Sequence, residues 1–147
     1  MGRSDVAAPS SEMLHASTVA IQGRAVLIEG RSGSGKSDLA LRLIDRGAAL
    51  VSDDYTLVKH KGDGLAAYAA PNIAGKIEIR GLGIIEMPHV DEQPVHLVVT
   101  LAEQIIRMPA EETHRTIAGR HVPSVTLDAR EASAPLKVEF ALRRVMA

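Results

Sequence analysis

Apolar residues along this chain fall in short runs broken by glycine, charge and proline, and a helical period shows in only two places. Residues 18–21 and 24–29 are two such runs joined by Gln22-Gly23, and they read as strands around a tight turn. Within the second, Ala25-Val26-Leu27-Ile28 does not alternate with polar residues, the mark of a strand buried on both faces. Leu39, Leu43 and Ala40, Ile44 then recur four apart, which predicts a helix over 36–46 with Gly47 just past its end. A return strand is expected over 48–52. Runs at 55–59 and 65–69 flank Lys61-Gly62-Asp63-Gly64, a hairpin signal. Short β-like pieces follow at 77–79 and 84–87, interrupted by Gly81 and Gly83, then apolar runs at 95–101 and 122–127. Ser133-Ala134-Pro135 opens a second helix, on which Leu136, Phe140 and Val138, Leu142 are spaced for one face. The pattern is that of one α/β domain, rich in strands and poor in helices.

Between the first buried run and the first helix stands Gly30-Arg31-Ser32-Gly33-Ser34-Gly35-Lys36-Ser37, which fits G-x-x-x-x-G-K-[ST] at every defined position. Each residue type has a purpose at that spacing. The glycines let the backbone curl so that successive N–H groups point at phosphate oxygens. Lys36 reaches the β- and γ-phosphates, and the Ser37 hydroxyl is placed to bind Mg²⁺. Strand, glycine loop and helix are the setting that puts phosphates at a helix N-terminus.

Composition narrows the field. With 147 residues, 46% hydrophobic and 24% charged, the chain can bury one real core. One Phe, two Tyr and no Trp make that core aliphatic and argue against stacking on nucleic-acid bases. A net charge of −1 with no basic block leaves no electrostatic footprint for nucleic acid. The absence of Cys excludes disulfides, thiolate metal sites and cysteine nucleophiles. No apolar stretch approaches the roughly 20 residues of a membrane span, and the N-terminus carries no hydrophobic signal core. A cytoplasmic protein is expected, with a disordered leader over 1–12 and the catalytic domain over 13–147.

Asp53-Asp54 ends the strand after the loop's helix, where a carboxylate can approach the Mg²⁺ held by the loop serine. Two adjacent acids allow two roles, metal binding and acceptance of a proton from an attacking hydroxyl, and the sequence does not say which takes which. Glu78-Ile79-Arg80-Gly81-Leu82-Gly83-Ile84-Ile85 is the other unusual stretch. Two glycines in a β-like run imply a bulge or a close backbone approach. Glu78 and Arg80 alternate with Ile77 and Ile79, so they could set a carboxylate near metal and a guanidinium near phosphate.

In that order and spacing, Gly30 through Ser37, Leu50-Val51-Ser52-Asp53-Asp54 and the Glu78 to Ile85 string resemble the catalytic domain of the HPr kinase/phosphorylase family. The last string resembles the family's signature nearly letter for letter. The resemblance implies a phosphoenolpyruvate-carboxykinase-like P-loop domain with a mixed, strand-rich sheet. It implies a kinase that phosphorylates a serine of HPr, the phosphocarrier of the sugar phosphotransferase system, from ATP or pyrophosphate. Phosphate-driven reversal releasing pyrophosphate is the second activity implied. Carried over, Lys36 neutralises the transferred group, Ser37 and Glu78 bind Mg²⁺ or Mn²⁺ with Asp54 as a further ligand candidate, and the Asp53-Asp54 pair supplies the proton acceptor and donor. His15 matches an active-site histidine, Arg107 a catalytic arginine, and Arg80 belongs to the loop used in both directions. A homo-oligomer, hexameric in the family, is implied as well.

The chain departs from the family pattern near its end, reading Arg130-Glu131-Ala132-Ser133-Ala134-Pro135 where a proline-glycine-arginine-asparagine stretch is usual. It resembles short α-proteobacterial forms, with essentially nothing ahead of the catalytic part and no further helix after it. Two other readings of the P-loop stand beside this one, a small-molecule kinase and a non-catalytic ATP-sensing module. Neither gives the Glu78 to Ile85 string a use.

Overall fold

The computed structural model describes residues 9–105 and 112–146. Eleven strands and two helices follow one another: β1 Ser11–Leu14, β2 Ala16–Ile21, β3 Arg24–Glu29, α1 Lys36–Asp45, β4 Ala49–Ser52, β5 Thr56–Lys61, β6 Gly64–Ala69, β7 Lys76–Ile79, β8 Gly83–Glu86, β9 Gln93–Leu101, β10 Thr113–Ile117, β11 Arg120–Leu127 and α2 Ala134–Met146. Nine strands form a mixed sheet in the order β1-β5-β6-β9-β3-β2-β4, with β11 and then β10 attached to β9. The exceptions are β7 and β8, a separate two-stranded hairpin.

The longest strand holds this sheet together. At its start, β9 pairs antiparallel with β6 through Gln93 and Pro94, and further along it runs parallel to β3 on one side and β11 on the other. Val26 and Ile28 of β3 join Leu97 and Val99 of β9 in a cluster with Leu39 and Leu43 of α1 and Val138 and Leu142 of α2. Leu27 and Val98, on the opposite face, enter a second cluster with Leu14, Val58, Leu65, Ile117 and Val122. The non-alternating apolar run of β3 is thus explained, since helices cover one face and folded-over strands the other.

Most expected elements are present within a residue or two. The turn Gln22-Gly23 joins two paired strands, and Gly62-Asp63 closes the β5–β6 hairpin. Gly47, at φ +111°, takes up the left-handed conformation that ends α1, and its N–H bonds to the Ile44 carbonyl.

Three expectations change. Ser11 and Glu12, expected in the leader, already belong to β1, and the Ser10 carbonyl accepts a hydrogen bond from His60 N–H. Gly81 and Gly83 do not bulge a strand. Gly81 is the middle residue of the hairpin turn Arg80-Gly81-Leu82 and Gly83 opens β8, both with positive φ, and Leu82 N–H closes the turn onto the Ile79 carbonyl. On α2, Val138 and Leu142 are buried as expected, but Leu136 and Phe140 are exposed at 40% and 62%. Phe140 lies instead under the Arg143 guanidinium, 4.5 Å from its ring centroid.

Helix α2 is also fastened to the end of α1. Arg46 donates from Nε and Nη2 to the two oxygens of Glu139, at 2.9 and 2.8 Å. These bonds hold the Glu139 carboxyl below its ordinary range. Because the folded-state value is the lower one, the stabilisation is present above the unfolded carboxyl's range and is lost as pH falls through the folded value.

Two outcomes are expected. Leu142→Ala lowers unfolding free energy by about 2–5 kcal/mol, whereas Phe140→Ser changes it by roughly 0.5 kcal/mol or less, both read by denaturant unfolding. Equal losses would put Phe140 back in the core. Glu139→Gln is less stable than the parent at neutral pH, and the difference closes in a thermal-melt series as pH falls through and below the ordinary carboxylate range.

Candidate functional site

The loop after β3 is built to receive an anion. Gly33 and Gly35 adopt positive φ of +80° and +101°, and Ser34 N–H turns back to the Arg31 carbonyl at 3.0 Å. No side chain caps α1, so the N–H groups of its first turn keep their capacity for a ligand. The Lys36 side chain is buried and arches over the loop, donating to the Gly30 and Arg31 carbonyls at 2.9 and 3.1 Å. Ser34 Oγ is buried inside the loop with no hydrogen-bond partner, a free polar atom at the heart of the cradle. Gly30 is fixed by packing, because a Cβ there would stand 2.6 Å from Ser34 Oγ and 3.1 Å from Leu101 Cβ.

The two acids separate sharply. Asp53, 6% exposed, is the hub. Its Oδ1 accepts from Ser37 Oγ at 2.7 Å and from Ser17 Oγ at 2.8 Å, and its Oδ2 accepts from Glu78 N–H at 2.9 Å. Asp54 has φ +68°, and Tyr55 N–H bonds across it to the Asp53 carbonyl at 2.7 Å, the signature of a positive-φ γ-turn. Such a conformation is strained for a residue with a side chain, and it turns the second carboxylate out of the strand. Asp54 is 58% exposed and accepts from His15 Nε2 at 2.8 Å. His15, 39% exposed, stacks on Tyr55 with ring centroids 4.9 Å apart. Ser17 ties both halves, donating to Asp53 and accepting from Asp54 N–H at 3.0 Å.

The expected site residues are therefore distributed unevenly. The phosphate loop, Asp53, Asp54 and His15 converge. Glu78 arrives through its backbone, with its side chain exposed. Arg80 sits exposed at the tip of the β7–β8 turn, and among the described residues no hydrogen bond ties its side chain to the centre. Arg107 lies outside the described residues. The carboxylate beside the loop serine is that of Asp53, not the Asp54 named as ligand candidate from sequence. Ser17 and Tyr55 were not singled out from sequence. A serine and threonine opening an otherwise apolar strand was the one available sign of Ser17.

The donor set suits magnesium. Among the described residues no group of three or more His, Cys, Asp or Glu forms a protein cage. Mg²⁺ does not need one, since it is commonly held by one or two carboxylates together with substrate phosphates and water. Ser37 Oγ and the Asp53 carboxylate at the foot of a phosphate loop supply that kind of half-site.

Comparison with known proteins bears on the family and the fold. Residues 7–144 match the family model described as HPr Serine kinase C-terminal domain. The HPr kinase/phosphorylase of Chlorobium phaeobacteroides is 38% identical over 130 residues, covering 79% of this chain and 40% of the relative. That of Alkaliphilus metalliredigens is 33% identical over 144 residues, covering 88% of this chain and 47% of the relative. The chain thus spans less than half the length of these two relatives. The solved structure of the HPr(Ser) kinase/phosphatase from Coxiella burnetii superposes with a TM-score of 0.77 at 31% identity, covering 90% of this chain and 89% of that one. Its likeness extends to the whole α/β, strand-rich architecture.

Gly30→Ala tests the cradle. The added methyl forces the Ser34 hydroxyl and its neighbours to shift, so ATP affinity is expected to fall about tenfold or more by calorimetry while the protein stays folded. Unchanged affinity would mean that the loop tolerates the displacement and does not depend on Gly30.

Proposed function

Since this chain belongs to the HPr serine kinase C-terminal domain family, we propose that it transfers the γ-phosphoryl group of ATP to a serine hydroxyl of HPr. The observation that carries the mechanism is the division of labour within Asp53-Asp54. Asp53 is buried and faces the loop serine, whereas Asp54 is exposed and held by His15. Only the second can meet the hydroxyl of a macromolecular acceptor.

The loop N–H groups and Lys36 hold the phosphate chain, with Lys36 exchanging its carbonyl partners for phosphate oxygens. Ser37 and Asp53, with Glu78 beside them, would hold Mg²⁺, which would supply charge neutralisation at the phosphate oxygens. Asp54 takes the proton of the serine hydroxyl as its oxygen bonds to the γ-phosphorus and the bond to the β,γ-bridging oxygen breaks, so ADP departs. His15 fixes the orientation of the Asp54 carboxylate through Nε2–H, and the strained turn fixes its direction.

Run backwards, the same groups serve phosphorolysis. An oxygen of inorganic phosphate bonds to the phosphorus of phosphoserine, Asp54 returns its proton to the departing serine oxygen, and pyrophosphate is released. Arg80, Arg107 and the homo-oligomer, a hexamer by resemblance, belong to this reading as well, in a cytoplasmic setting that supplies ATP and HPr. No helix among the described residues is long and apolar enough to cross a membrane.

Intact-mass spectrometry of HPr after incubation with the protein, ATP and Mg²⁺ is the direct test. A phosphate-sized gain on HPr is expected, and Lys36→Ala abolishes it. Asp54→Asn lowers kcat by about 10²–10⁴-fold with ATP affinity nearly intact, whereas Asp53→Asn raises the Mg²⁺ concentration needed. Full turnover in Asp54→Asn would overturn the assignment, and an unmodified HPr would overturn the kinase reading.

A further inference from the structure

Beside the phosphate loop, at the carboxyl ends of the parallel strands β3 and β9, lies an open crevice of about 520 Å³. Crevices at that end of parallel strands are where α/β sheets bind ligands. His15, which holds Asp54, lies on its wall, as do Gly30 and Arg31, the first two residues of the loop. The crevice therefore adjoins the site from two sides, through His15, the partner of Asp54, and through the first residues of the phosphate loop.

Its chemistry is that of a polypeptide site. The charged side chains of Glu12, Glu29, Arg31 and Arg115 line it, and Met13, 46% exposed, adds an apolar contact. A nucleotide base would instead call for flat apolar or aromatic walls. The polar lining is pre-oriented. Arg115 donates from Nε to Glu29 Oε1 at 2.9 Å and from Nη1 to the Thr116 carbonyl at 2.7 Å, and Glu12 Oε1 accepts from Ala118 N–H at 2.9 Å. Groups fixed before binding lose little freedom when a chain segment arrives.

We propose that this crevice seats the stretch of acceptor polypeptide flanking the phosphorylated serine, and that Met13 and Arg115 determine its affinity. The inference rests on the kinase reading above and assigns the acceptor's subsite within it. A few residues of chain fill the volume, and the serine reaches Asp54 past His15.

The test is steady-state transfer to purified HPr, with ATP affinity measured separately, for the parent, Arg115→Gln and Met13→Asp. Both variants are expected to raise KM for HPr about tenfold while kcat and the ATP dissociation constant stay within about twofold. Met13→Asp guards against a folding artefact, because it changes an exposed side chain and leaves the Arg115–Glu29 pair in place. A tenfold loss of ATP affinity with KM for HPr unchanged would make the crevice a nucleotide subsite and overturn the proposal. No change in either constant would overturn it too. A parent protein that leaves HPr unmodified would sink the kinase reading itself, and that result is visible before any variant is compared.

Discussion

The carboxylate of Asp53 is the joint on which this structure turns. Three segments far apart in sequence reach it: Ser17 from β2, Ser37 from the first turn of α1, and the backbone of Glu78 from β7. A buried carboxylate is tolerable only when its lone pairs are used, and these three donors use them. The arrangement that keeps the acid satisfied also sets the loop serine, β2 and the β7–β8 hairpin against one another. Structural economy and chemical readiness coincide in that one side chain.

The γ-turn at Asp54 gives the adjacent acid a different fate. Had the strand simply continued, Asp54 would have pointed across the sheet from Asp53 into its other face. A positive φ and the Tyr55-to-Asp53 hydrogen bond instead lift it out to His15. Two identical side chains, one peptide apart, thereby acquire different exposure and different partners. The backbone strain is held by Ser17 below and the His15–Tyr55 stack beside it.

Much of this was legible in the sequence. The phosphate loop declared itself through spacing and through the strand and helix on either side, and the hairpin at Gly62-Asp63 through its turn residues. The different placement of the two acids was not legible, because a turn spanning one residue leaves no periodic trace. Ser17 was hidden for a related reason, since its importance is a matter of tertiary pairing. The edge strands β1 and β10 escaped notice because Ser11-Glu12-Met13-Leu14 and Thr113-His114-Arg115-Thr116-Ile117 carry too few apolar residues to announce a buried face. On α2 the four-residue spacing was read correctly, but two apolar stripes side by side cannot both face the core, and packing against α1 and β9 selected Val138 and Leu142.

The position of β9 bears on how the chain comes into being. Synthesis proceeds from the N-terminus, so β3 and the phosphate loop emerge well before residues 93–101. Until β9 arrives, β3 has an unpaired edge of apolar residues and lacks its parallel neighbour, and β6 lacks its only strand partner on that side. The nascent protein therefore passes through an interval in which its most adhesive strand is complete but uncovered. Pairings that bridge such separations close slowly, which lengthens the exposure. The strand that unifies the mature sheet is thus also the one whose late arrival leaves an apolar edge of the half-made chain open.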